Sequence, residues 1–163
     1  MSKDKKNIRL LTLDELKDFF TENNQATFRG KQVYEWLWKK SVHSFDKMNN
    51  LPQSVRELLE ANFVINHAII SEEQKSADRT IKSAFKLFDN NNVEGVLIPT
   101  KKRVTACISS QVGCSLTCAF CATGKLDRLR NLTSDEIYDQ VYMLNEQALK
   151  NYQKKLSNIV YMG

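Results

Sequence analysis

Cys114, Cys118 and Cys121 stand at the spacing C-x3-C-x2-C, and the remaining cysteine of the chain, Cys107, lies seven residues before the first of them. Soft thiolates at such intervals converge on zinc or on an iron–sulfur cluster. Structural zinc takes four ligands, usually as two separated pairs, whereas here three thiols are close together and the fourth is set apart. His43 and His67 are remote in sequence and read as surface or core residues. Three thiolates on a cubane cluster leave one iron open, and an open iron can take the amine and carboxylate of a small ligand, as a closed four-thiolate carrier cannot. Disulfides are the poorer reading, because such staples join distant parts of a small secreted fold and these thiols are crowded.

The flanking segments must position that loop. "RVTACISS" reads as a strand whose alternation puts Val104, Ala106 and Ile108 under covering helices, and Arg103, Thr105, Cys107 and Ser109 on the other face. Cys107 then looks toward the working face of the sheet and away from the loop, which argues against it as a fourth ligand; a small buried core residue is the alternative. After the cysteines, Thr133 and Glu136 have capping-box spacing, and Ile137, Val141, Leu144 and Ala148 mark the buried face of a helix reaching about Tyr152. The apolar run "NIVYMG" follows. Strand, loop, helix, strand is a βαβ unit, which implies a parallel sheet with its working loops at the carboxyl ends of the strands. Two parallel strands cannot bury both faces alone, so a larger C-terminal part is expected beyond this chain.

Upstream, Thr12 and Glu15 again have capping-box spacing, and Leu13, Leu16, Phe19 and Phe20 predict a helix ending near Asn23. "GKQVYEWLWKK" predicts a second helix, and "LPQSVRELLEANF" a third with Pro52 in its first turn. Phe19, Phe20, Trp36 and Trp38 could stack on RNA, but aromatics at helical spacing more often fill a small core. From about residue 68 to 110, "TIKSAFKLF", "DNNN", "VEGVLIP" and "RVTACISS" predict strands joined by tight turns. The fold class expected is α/β: a helical domain over 1–66, a β-strand linker over 67–102, and from 103 to 163 the start of a (βα) core.

The chain carries a formal net charge of +5, compatible with a polyanionic partner without requiring one. Lys101, Lys102 and Arg103 precede the cysteine segment and Lys125, Arg128 and Arg130 follow it, so cations bracket the cysteines in sequence. The bland alternative is a solvated basic surface. No apolar run is long enough to cross a bilayer, and the charged start leads into no signal-like core, so a cytoplasmic location without membrane partners is expected.

At this point the residues carry a resemblance. C-x3-C-x-aromatic-C, in the loop after the first strand of a βα barrel, resembles the radical S-adenosylmethionine superfamily. "FRGKQVYEWLWKK", "FDKMNNLP", "VEGVLIP", "ACISSQVGCSLTCAFCATGKLDRLRNLTSDEI" and the final "YMG" resemble, across nearly the whole chain, the N-terminal half of RlmN-type RNA adenine methyltransferases. The related Cfr-type enzymes modify carbon 8 instead of carbon 2 of the adenine, and "SSQVGC" looks more like RlmN.

The resemblance implies a truncated partial (βα) barrel of radical-SAM type in which Cys114, Cys118 and Cys121 hold a [4Fe–4S] cluster whose open iron binds S-adenosylmethionine. Reduction then yields a 5′-deoxyadenosyl radical. Phe120 and Gly124 would help seat the cofactor. The family methylates a cysteine near its C-terminus, draws a hydrogen atom from that methyl and adds the resulting carbon radical to adenine. Cys107 matches the cysteine that resolves the protein–RNA adduct, and Glu94 the proton acceptor; without the resemblance Glu94 reads as a solvent-facing strand residue. The RNA-guiding role falls to residues 1–66. Also implied are 23S ribosomal RNA and transfer RNA as substrates, an electron donor such as flavodoxin, a monomer at full length and a disulfide. The methyl-carrying cysteine, the glycine–glutamate cofactor motif and the remaining barrel are absent, so this chain is expected to be inactive alone. A zinc-stabilised nucleic-acid-binding module and a small iron–sulfur electron carrier are the competing readings.

Overall fold

The computed structural model describes residues 5–116, 118, 119, 121 and 123–162. The chain divides into two compact units, one ending at Asn66 and the other beginning at His67. The first holds helices α1 (Leu13–Glu22), α2 (Phe28–Trp38) and α3 (Gln53–Asn62), with a short parallel pairing of β1 (Lys6–Asn7) and β2 (Phe63–Val64). The capping box expected at α1 is formed: Glu15 N–H donates to Thr12 Oγ1 (3.2 Å) and Thr12 N–H to Glu15 Oε2 (2.7 Å). Pro52 stands at the N-cap of α3, one position before the predicted first turn. Ile8, Leu16, Phe20, Val33, Leu37, Met48, Val55 and Leu59 form the buried core, and Phe19, Trp36 and Trp38 pack against it. The aromatics are therefore core residues. Phe19 meets Phe63 edge-on at 4.8 Å between ring centroids, a geometry that suits the ring quadrupoles.

The second unit is built on a five-stranded sheet of order β3-β4-β5-β6-β9: β3 (Ile69–Lys75), β4 (Ile81–Lys86), β5 (Asn92–Pro99), β6 (Val104–Ser109) and β9 (Asn158–Met162). The pairings from β3 to β6 are antiparallel and that of β6 with β9 is parallel, reached through α4 (Ser134–Tyr152). The βαβ unit predicted from the sequence is thus present. The strands expected as a linker share one sheet with it. Glu136 caps α4 as predicted, accepting from Thr133 N–H at 2.9 Å. On one face Ile81, Phe85, Val93, Leu97, Val104, Ala106 and Ile108 are buried together with Leu144 and Ala148 of α4. That single apolar face, closed by one helix, is the unit's core.

Among the described residues no helix is long and apolar enough to cross a membrane.

Candidate functional site

Alternation along β6 buries Val104, Ala106 and Ile108 and leaves Thr105, Cys107 and Ser109 half-buried on the other face, as the sequence predicts. Cys107 lies opposite Val96 of β5 and Val160 of β9. Glu94 is exposed on β5, two residues from Val96 and so on the same face, which makes Glu94 and Cys107 diagonal neighbours. Ser109, at the end of β6, donates from Oγ to the Glu94 carbonyl at 2.8 Å. Lys82 of β4 reaches across the same face, its Nζ 2.6 Å from Glu94 Oε1. Its alternation in "TIKSAFKLF" was visible, but its partner was not.

Burial pushes the Cys107 thiol up from its ordinary value, so it is a protonated thiol at neutral pH. Alkylation by iodoacetamide, followed by peptide mass spectrometry, should therefore accelerate about tenfold per pH unit from pH 7 and show no plateau below about pH 9. A plateau at neutral pH would contradict this environment.

At the carboxyl end of β6 the chain enters the cysteine loop through a built threshold. Gln140 of α4, completely buried, accepts from Ser109 N–H at 3.0 Å and donates to the Ser109 carbonyl at 3.1 Å, satisfying both backbone groups at the strand exit. Next, β7 (Gln111–Val112) pairs antiparallel with β8 (Arg130–Asn131), so residues 113–129 form a loop closed at its base. Leu129 N–H donates to the Val112 carbonyl at 2.8 Å, and Leu132 N–H to that of Ser110 at 2.9 Å.

Two glycines make the loop's tight approaches. Gly113 has φ +72°, and a Cβ there would stand 2.0 Å from the Asp127 carbonyl oxygen. A Cβ on buried Gly124 would come within 2.8 Å of the Leu116 carbonyl oxygen and 3.1 Å of Cys118 N. Gly124 thus has a packing role in the loop beside any contact with a cofactor. Phe120, the other residue expected to seat the cofactor, lies outside the described residues.

Cys114, Cys118 and Cys121 are all free and half-buried on this loop. Leu116 N–H points at Cys114 Sγ (3.4 Å), and Cys121 N–H donates to the Cys118 carbonyl (3.1 Å). As a donor set this suits an iron–sulfur cluster: soft ligands on one loop, with a backbone amide already directed at a sulfur. Among the described residues no three His, Cys, Asp or Glu side chains are gathered into a metal-binding group. Cys107 is also free, so the disulfide that the resemblance implies is not present in this chain.

Arg130 is the principal residue that sequence reasoning left unassigned, having counted it only as a flanking cation. Its guanidinium donates twice to Glu136 (2.7 Å each) and twice to Asp89 Oδ2 (2.9 and 2.7 Å). Asp89 belongs to the turn between β4 and β5, where Asn91 also donates to it. Burial works to raise the Asp89 carboxyl, but the hydrogen bonds from Arg130 and Asn91 outweigh it and hold the group below its ordinary value. The contact is therefore fully charged at neutral pH, and its contribution fades only as acid protonates Asp89, below about pH 4. An acidic turn before "VEGVLIP" was the available signal, but nothing local links it to a residue so far along the chain.

The cations that bracket the cysteines in sequence separate in space. Lys125 and Arg128 are exposed on the loop. Lys101, Lys102 and Arg103 precede β6, about 20 Å away along its six residues, where Lys154 Nζ donates to the Lys101 carbonyl at 3.0 Å.

Known proteins match this arrangement. Residues 6–65 match the family described as ribosomal RNA large subunit methyltransferase N-terminal domain. A protein of Cytophaga hutchinsonii called probable dual-specificity RNA methyltransferase RlmN is 60% identical over 159 residues, covering 98% of this chain and 44% of that protein. Its namesake in Christiangramia forsetii is 56% identical over 98% of this chain and 45% of its own length. The crystal structure of a radical SAM methyltransferase from Sphaerobacter thermophilus superimposes with a TM-score of 0.78 at 30% identity, covering 96% of this chain and 47% of that one. The chain spans about half the length of the curated relatives it matches. With the family's N-terminal domain at residues 6–65 and similarity to the same enzymes from there to Met162, the chain resembles the N-terminal portion of the RlmN-type radical SAM RNA methyltransferases.

Proposed function

We propose that this chain is the cluster-bearing portion of a radical S-adenosylmethionine methyltransferase acting on carbon 2 of an adenosine in 23S ribosomal RNA and in transfer RNA, through a methylated-cysteine intermediate. The observation that carries the reading is the loop at the carboxyl end of β6, with three free thiols on it and Cys107 on the open face of the strand that feeds it. Cys114, Cys118 and Cys121 would hold a [4Fe–4S] cluster, and Phe120 and Gly124 would flank the S-adenosylmethionine. When bound, the cluster supplies the electron for reductive cleavage of the sulfonium.

The chain's own residues then handle protons and positioning. Cys107, kept protonated by burial, carries a proton to the open face and resolves the adduct together with a cysteine beyond this chain. Glu94 accepts a proton there once Lys82 releases it. β6 and β9 are the first parallel strands of a partial (βα) barrel in this reading, and a further strand on the free edge of β9 would cover Ile159, Val160 and Tyr161, which are exposed here. Residues 1–66 guide the RNA, with loop cations Lys125 and Arg128 on its phosphates, and the target adenosine is unstacked to reach the cofactor. A flavodoxin-like donor, a monomeric full-length enzyme and a cytoplasmic location complete the proposal. The dual-specificity name of the relatives supports more than one RNA substrate, and the likeness of "SSQVGC" to the RlmN type favours carbon 2 over carbon 8.

Metal and sulfide analysis of anaerobically purified chain tests the reading, with electron paramagnetic resonance recorded before and after adding S-adenosylmethionine. About four irons and four sulfides per chain, with a reduced-cluster signal that shifts on addition, is the expected result. Stoichiometric zinc without sulfide would sink it in favour of a binding module, and a cluster indifferent to S-adenosylmethionine would favour an electron carrier.

A further inference from the structure

We propose that Arg130 is a positioning residue for the cysteine loop, holding its two ends together so that the loop is closed at its base before any metal arrives to gather the thiols. The inference rests on the cluster reading above, because it assigns Arg130 to the preparation of that site. The loop's base is otherwise thin: β7 and β8 are two residues each, and such a pairing is marginal when it must close a long excursion of chain. Arg130 sits on β8 directly opposite Val112, the last residue before the loop begins. From there its planar fork grips two carboxylates that belong to different elements, Glu136 in the first turn of α4 and Asp89 in the β4–β5 turn.

The chemistry of the grip is specific. Four charge-assisted bonds from one guanidinium fix orientation as well as distance, and a lysine ammonium cannot reproduce two paired contacts in different directions. Glu136 is committed twice, since the same carboxylate accepts from Thr133 N–H to cap α4. Its side chain is only 5% exposed and that of Arg130 28%, so water competes weakly for the contact with Glu136. The start of α4, the return of the cysteine loop and the far end of the β4–β5 hairpin are tied at one side chain. Freeing it would leave the base of the loop held by the β7–β8 backbone bonds and by the burial of Val112 and Leu132 in the core.

Hydrogen exchange on the metal-free chain tests this directly, comparing wild type with Arg130→Met, Arg130→Lys and Asp89→Asn. In Arg130→Met, exchange in peptides covering residues 113–129 should rise about tenfold or more while peptides from β4 and β5 stay as in wild type. Arg130→Lys should recover part of that protection, and Asp89→Asn, which leaves the Glu136 pair intact, should lose less than Arg130→Met. After anaerobic reconstitution the Met variant should also retain less iron and give a broadened reduced-cluster signal. Unchanged loop exchange would overturn the proposal, and so would a uniform rise across loop and sheet, which would mean that Arg130 serves general stability; should Arg130→Met fail to fold, Asp89→Asn and Arg130→Lys carry the same comparison. A wild-type chain that takes up no iron would refute the cluster reading yet leave the exchange result standing.

Discussion

Replacing Cys118 with alanine lowers the iron and sulfide of the anaerobically purified chain by more than about tenfold while leaving its thermal unfolding near that of wild type. No described residue of the loop from 113 to 129, Cys118 included, belongs to the apolar core over which α4 closes, so losing its sulfur creates no cavity there. Its backbone role survives, because the N–H that donates to the Leu116 carbonyl and the carbonyl that receives Cys121 N–H are unchanged by the substitution. What disappears is one of three thiolates, and two cannot hold a cubane. Cys107→Ala is the paired control: Cys107 lies among Val96 and Val160 on a sheet face, so iron should remain, whereas a full-length enzyme carrying the change should stall before adduct resolution. Full iron in Cys118→Ala would remove the ligand assignment. Iron lost from Cys107→Ala would point to a four-cysteine site.

Gly113→Ala should be nearly as damaging by another route. The backbone there is left-handed, which alone costs a residue with a side chain about 1–3 kcal/mol. The added methyl would also point at the Asp127 carbonyl oxygen from 2.0 Å, and a backbone carbonyl cannot swing aside as a side chain does. The neighbouring Val112 is held in register with Arg130, so relief must come by opening the loop. Limited proteolysis should cut residues 113–129 faster in this variant with the sheet intact, and iron uptake should fall with it. Wild-type protease resistance would show that the turn yields without opening the base.

Much of this was legible in the sequence because the signals were local. Two capping boxes, at Thr12 and Thr133, started helices where they stand, and the period of two along "RVTACISS" assigned Cys107 to the open face. The threshold of the cysteine loop was not legible. A two-residue strand such as β7 has no period to detect, and its partner β8 lies beyond the whole loop. Arg130 finds Asp89 and Gln140 finds Ser109 across stretches of chain that only the fold brings together. The basic residues that bracket the cysteines in sequence do not all share the loop in space, because a strand puts Lys101, Lys102 and Arg103 at the opposite end of β6.

The sheet's mixed topology also sets an order of assembly. β3 to β6 form a meander of neighbouring strands joined by tight turns, and such local pairings close quickly at small entropic expense. The parallel ladder, in which Thr105 meets Asn158, must wait for α4 to form and carry the chain back. During synthesis the meander strands, which carry Cys107 and Glu94, leave the ribosome before the crossover, and their apolar face is closed only when α4 follows. The loop bearing the other three thiols acquires its second anchor only afterwards, which leaves a period in which those thiols are joined to folded protein at one end alone.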